Sequence, residues 1–217
     1  MFKLSKTARH TLLALALAAS TGLASAEILH VEIDTASLGT NGWIDMSFLR
    51  NSAAGAAATA SLTDFVGFDS HVAAQTLGGV SGSLNSGYTL SNLNGGADLF
   101  HAVKFGGLVS FNVDFAGAAD AAVNRVLSTL SISLYGADQS TLLGNGDAAS
   151  GSLARLYWTP SKNSAIPGTV SYTVYDNIAS VGPVAAVPEP STWAMMGLGL
   201  GLLGLVRRRK ATAQFAA

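Results

Sequence analysis

The chemistry available to this 217-residue chain is sparse, and it is concentrated in a few residues. Beyond the first two dozen residues there are three histidines: His30, His71 and His101. None sits in an H-x-H or H-E-x-x-H spacing, so no metal or metalloprotease ligand set is written into the sequence. Asp64 and Asp69 lie near His71, a combination that acid–base catalysis can use. In a strand-and-turn context that spacing does not aim the groups at one point. Asp138 with Gly144-Asn145-Gly146-Asp147, and Asp114 with Asp120, offer oxygen ligands of the kind calcium takes. Neither group supplies the D-x-D-x-D-G ladder, so both are read as turn residues. Trp43, Tyr157 and Trp158 could form a stacking platform for a sugar, although a buried aromatic core is the commoner fate of such rings. No G-x-S-x-G elbow occurs. Cysteine is absent, which removes thiol catalysis, disulfide frameworks and cysteine-ligated zinc. The expectation is a non-enzymatic chain without a cofactor.

The elements that must carry these residues alternate with period two. Val31 and Ile33; Ile44, Met46 and Phe48; Val109, Phe111, Val113 and Phe115; Leu130, Ile132 and Leu134; and Val170, Tyr172 and Val174 each alternate with polar neighbours. That pattern marks strands with one face in a core and one in water. Asn41-Gly42, Gly78-Gly79, Asn94-Gly95-Gly96, Gly106-Gly107, Gly144-Asn145-Gly146 and Pro167-Gly168 read as turns. Eight to ten short strands in an all-β, antiparallel β-sandwich of jelly-roll type follow, with residues 27–177 as its domain. Asn51 to Ala60 is rich in alanine but leads directly into a strand, and is read as loop. Ala116 to Arg125 is read as a helical turn or a long loop, and residues 178–187 as a small-residue linker. Phe111 and Phe115 should be buried together, with Asn112 and Asp114 facing away.

Both ends differ from this middle. Lys3, Lys6 and Arg9 precede an Ala/Leu run, and Ala24-Ser25-Ala26 follows. A basic region, a short apolar helix and small residues at the two positions a signal peptidase reads make residues 1–26 a secretory signal. Near the other end, Trp193 to Val206 is free of charge and would reach about 21 Å as a helix, at ~1.5 Å per residue. A single transmembrane helix of that length is short against a hydrocarbon core of ~30 Å, and spans only with bilayer thinning and snorkelling. Arg207, Arg208, Arg209 and Lys210 resist translocation and fix the orientation, leaving residues 27–187 outside the inner membrane and 211–217 as a short cytoplasmic tail. Pro188 and Pro190 hold the backbone around Glu189 extended, in a form that a processing enzyme's cleft can grip.

Val187-Pro188-Glu189-Pro190-Ser191-Thr192-Trp193, the Gly/Leu-rich span and the basic block together resemble the PEP-CTERM sorting signal, over residues 188–210. The resemblance implies an exosortase that recognises the Pro-Glu-Pro box and removes the tail, in bacteria that make exopolysaccharide. It makes exosortase, signal peptidase, transiently the inner membrane, and exopolysaccharide the expected partners, and the cell surface or extracellular matrix the destination. Leu29 to Leu49 is similar to a recurrent N-terminal stretch of such proteins, which implies no activity. The rival readings are a carbohydrate-binding module and a secreted hydrolase of exopolysaccharide; the latter needs paired carboxyls ~5–9.5 Å apart in a cleft.

Charge agrees with an exported middle. Seven of the twelve Lys and Arg residues lie in the two terminal segments, and of the thirteen acids only Glu189 does. Residues 27–187 therefore keep five cations against twelve carboxylates, a balance that argues against nucleic acid as a partner.

Overall fold

The structure is a computed structural model that describes residues 27–184. The expected signal helix and transmembrane helix fall outside those residues. Within them the chain is all-β. Thirteen strands run in order: β1 (Leu29–Asp34), β2 (Asn41–Arg50), β3 (Ala58–Val66), β4 (Gln75–Gly78), β5 (Val80–Ser83), β6 (Gly87–Ser91), β7 (Ala97–Lys104), β8 (Leu108–Gly117), β9 (Ser128–Tyr135), β10 (Leu142–Leu143), β11 (Ala154–Thr159), β12 (Thr169–Val174) and β13 (Ala179–Pro183). Thirteen exceeds the eight to ten expected. The surplus comes from β4, β5 and β10, which are two to four residues long, polar or exposed, and carry no alternation to read.

The strands form two antiparallel sheets. The first has the order β13-β1-β8-β3-β6-β5; the second has β12-β11-β9-β2-β7-β4, with β10 also on β9. The chain crosses between the sheets repeatedly, so sequence neighbours such as β1 and β2 face each other across the core rather than pair. Inward side chains from both sheets make one buried cluster that includes Val31, Ile44, Phe48, Phe111, Phe115, Ile132 and Trp158. The period-two reading placed all of these side chains correctly except Trp158, which it did not cover. Phe111 and Phe115 are both buried, and Phe115 packs at 5.8 Å against Phe48 of the opposite sheet. Asn112 and Asp114 face away from them. One polar side chain is admitted at the margin of the core because it is fully bonded. Buried Asn92 accepts from the Ala58 amide at 2.9 Å and donates to Ser128 Oγ at 2.8 Å and to the Ala56 carbonyl at 2.9 Å.

Three local expectations are corrected. Asn41-Gly42 is the start of β2 and not a turn. Gly42 is there for space: a Cβ would lie 2.3 Å from the Phe105 ring and 2.4 Å from the Tyr135 carbonyl oxygen. The stretch from Ala116 to Arg125 takes the loop reading from residue 118 onward, with Ala116 and Gly117 ending β8. Val170, Tyr172 and Val174 do point toward the core side, opposite Trp158, Leu156 and Ala154. Yet β12 is the outermost strand of its sheet, and Tyr172 stays 43% exposed. Finally, the stretch read as a linker contributes β13, which pairs with β1 from Leu29↔Pro183 to Ile33↔Ala179. Its small residues pack well beside β1, with Val181 opposite Val31 and resting on the core. The domain therefore continues past residue 177 to Pro183.

Candidate functional site

Most of the residues singled out from the sequence are kept apart by the fold. Asp64 sits at a bulge, where the β3–β8 register shifts between Thr63 and Val66, and its φ of 56° is positive for a non-glycine residue. The bulge turns its carboxylate onto Asn112, whose amide donates to Asp64 Oδ2 at 2.7 Å. Asn112 in turn offers its carbonyl to His30 Nδ1 at 2.7 Å. With the Asn112 amide fixed by Asp64, His30 must be the donor in that bond. This Asp64–Asn112–His30 chain crosses β3, β8 and β1 on the outer face of the first sheet. His71 is elsewhere and pairs with Asp69 at 3.2 Å, next to Lys104 at 3.6 Å from the same carboxylate. His101 is buried, bonded to the Ala102 carbonyl at 2.9 Å and edge-on to Phe68.

The oxygen-rich turns are likewise separate. Asp138 closes its own turn, accepting from Thr141 Oγ1 at 2.6 Å and from the Thr141 amide at 3.0 Å. These bonds hold its carboxyl well below the usual carboxylate range. Asp147 pairs with Arg155 at 2.9 Å, and the Arg155 guanidinium lies over the Tyr175 ring. Asp120 caps the Ala122 amide. Among the described residues, no three His, Cys, Asp or Glu side chains converge as a metal site.

The candidate aromatic trio does not form either. Trp158 is a core residue, 1% exposed. Glycines hold its ring on two sides: a Cβ on Gly117 would lie 2.3 Å from the indole, and one on Gly168 2.4 Å from its Nε1. Tyr157 lies on the outer face beside Tyr175, whose hydroxyl is 3.5 Å from its own. Trp43 shares that face, but β9 separates its strand from that of Tyr157.

Around Trp43 the fold assembles a different group, from three adjacent strands. Register places Trp43 of β2 beside Ala102 of β7 and Tyr135 of β9, and Asp45 beside Phe100 and Ser133. Ser47 lies beside Asp98 one step further on. All these outward positions share one face of the sheet, because side chains alternate along each strand. Trp43 and Phe100 stack with centroids 4.9 Å apart and planes 16° from parallel; Tyr135 meets Phe100 edge-on at 5.5 Å. Asp45 and Asp98 are diagonal neighbours and hydrogen-bond to each other. Burial first, then the Asp98 charge and that hydrogen bond, push the Asp45 carboxyl up to about 7. Asp45 Oδ1 is buried without a partner. Burial and the two carboxylates also raise Tyr135. Beyond Asp98 the face opens into a hollow of about 300 Å³ bordered by Ser47, Leu49, Leu77 and the Asn94-Gly95-Gly96 turn.

Asp45, Asp98, Phe100 and Tyr135 carried no sequence signal of their own. Each is an outward residue on an alternating strand, and only the pairing of β9, β2 and β7 makes them neighbours. The rings do not make a coplanar strip. The carboxyl pair is in mutual contact on an open sheet, closer than the gap across which glycoside hydrolysis places its two groups.

Comparison with known proteins adds one match. The PEP-CTERM protein-sorting motif is found at residues 186–210, 25 residues that begin two positions after the last described residue. This supports a PEP-CTERM protein, exported and sorted by the exosortase route, with transient anchoring in a membrane. No curated protein and no solved structure matches the chain. Ala24, Ala26, Pro188, Glu189, Pro190, Arg207, Arg208 and Arg209, the residues expected to direct processing, lie outside residues 27–184.

Proposed function

We propose that this protein is a non-enzymatic component of the cell surface or extracellular matrix, associated with exopolysaccharide and delivered there by export and exosortase processing. The observation that carries the reading is the sorting motif at 186–210, placed directly after β13, the strand that ends the described fold. In this reading signal peptidase cuts after Ala26. The span from Trp193 to Val206 then holds the chain in the inner membrane, with Arg207, Arg208 and Arg209 as its stop, until the Pro-Glu-Pro box is cut. The acidic balance of the middle suits a protein that must leave an anionic envelope. A structural rather than catalytic role fits a domain whose carboxyl pair lies on an open sheet face.

The test is to replace Pro188, Glu189 and Pro190 together with alanine and to read both termini of the protein by mass spectrometry in its native host. The wild type is expected to begin at Glu27 and to end near residue 187, whereas the variant accumulates uncut in the inner membrane. Equal maturation of the two would reject the sorting assignment. Ala26→Asp should abolish the Glu27 terminus, because a charged side chain does not enter the small-residue pocket of signal peptidase.

A further inference from the structure

The outer face of the second sheet combines features that work against stability unless something binds there. Two carboxyls are neighbours, and no cation among the described residues is bonded to either. One buried carboxyl oxygen lacks any partner, a condition that costs free energy in a folded protein. Three half-exposed rings stand beside them instead of joining the core. The nearby cations are engaged elsewhere: Arg155 with Asp147, Lys104 with Asp69, and Arg50 with the Gly55 carbonyl. From Trp43 to Leu49 the face extends along β2 for about 20 Å, at ~3.3 Å per residue. In order it presents rings, carboxyls and the apolar hollow.

The complement of such a face is a chain with apolar C–H faces and a rim of hydroxyl or amine donors. Flat rings take the C–H faces, and carboxyl oxygens accept the donors in charge-assisted bonds. An anionic chain would meet two acids that no cation among the described residues pairs with. We infer that the face running from Trp43, Phe100 and Tyr135 through Asp45 and Asp98 to the hollow beside Leu49 binds a neutral or amino-bearing glycan chain. This deepens the exopolysaccharide part of the proposed function by naming the surface and the charge class of the polysaccharide. Incoming donors bond to the accessible Asp98 carboxyl beside Asp45, and the rings bury their remaining edges. The glycan is held along β2 and is not cut, since the two carboxyls touch each other and leave no room for a glycosidic bond between them.

The experiment is calorimetric titration of the full-length protein in mild detergent with four hexamers: cellohexaose and chitohexaose (neutral), hexaglucosamine (cationic) and hexagalacturonate (anionic). At least one neutral or cationic hexamer is expected to bind with Kd on the order of 0.1 mM, and hexagalacturonate is not. Trp43→Leu keeps apolar bulk but loses the flat face, and should weaken binding tenfold or more. Asp98→Asn should weaken it several-fold. Tyr157→Ala, on the same sheet face but two strands away, should leave it unchanged. Thermal melts establish that each variant is folded. The inference is overturned if neither neutral nor cationic hexamers bind, if hexagalacturonate binds equally well, or if folded Trp43→Leu binds like the wild type. None of these outcomes touches the terminal processing, so a protein cut at its box but blind to glycans would reject this surface alone.

Discussion

The outer faces of the two sheets are built on the same backbone pattern and use it in opposite ways. On the first sheet the Asp64–Asn112–His30 chain is internally complete, at 2.7 Å in both links, although Asp114 on the same face keeps one buried oxygen without a partner among the described residues. On the second sheet Asp45 and Asp98 share one hydrogen bond, one buried oxygen is orphaned, and rings crowd beside them. Folding alone explains a chain that satisfies itself. It does not explain a face that keeps like charges together beside half-buried rings, and natural sequences break their own packing rules mainly where function requires it.

The contrast can be tested by perturbing what the faces share and then each face alone. The largest effect should come from the common core. Phe111→Ala empties a fully buried site between the sheets and should lower stability by ~3–5 kcal/mol, read by chemical denaturation. Both faces should lose their tertiary signals together, because one core supports both. Gly117→Ala comes next. Its Cβ would lie 2.3 Å from the Trp158 ring and 2.8 Å from the Ala57 carbonyl, so overpacking should cost ~1–3 kcal/mol.

Asp45→Asn then addresses the second face alone. The folded state holds this carboxyl at about 7, above its unfolded value of 3.8. The folded form therefore keeps a proton that the unfolded chain releases, and wild-type stability should fall as pH rises from about 4 to about 7. Asparagine cannot ionise, so in the variant much of that slope should vanish. Melting temperatures across pH 4–8 would show the two proteins similar at the acid end and the variant more stable at the alkaline end. If both curves are parallel, the carboxyl pair is not strained in the way described. The smallest effect should follow Asn112→Ala, which breaks the chain on the first face. Its groups are solvent-accessible, so water replaces the lost partners and the cost should stay within about 1 kcal/mol.

What could be read from the sequence divides along the same line. Inward residues such as Phe111, Phe115, Met46 and Ile132 declare themselves by period two, because burial constrains every second position. The sorting box, span and basic block declare themselves because their order along the chain is itself the message. The group at Trp43 was out of reach. Its members come from β2, β7 and β9, up to 92 positions apart between Trp43 and Tyr135, and outward positions tolerate almost any residue. Which of Tyr157 and Trp158 joins the core was out of reach for a related reason. Tyr157-Trp158 is an adjacent pair, so one ring must face in and the other out, and composition alone does not say which. The missed β13 shows the weakness of reading small residues as linker, since Ala179 and Val181 alternate well enough once β1 supplies a partner.

That last strand has a consequence for timing. The first strand of the domain is hydrogen-bonded to its last, Leu29 opposite Pro183, so the edge of β1 away from β8 waits for β13 through the delivery of some 150 intervening residues. A chain threaded outward from its N-terminus holds an incomplete sheet for almost the whole journey. Then the sheet is completed within a few residues of the box emerging. Completion of the fold and exposure of the cut site thus become nearly simultaneous events, and a protease acting at the box meets a cargo that has just become able to close.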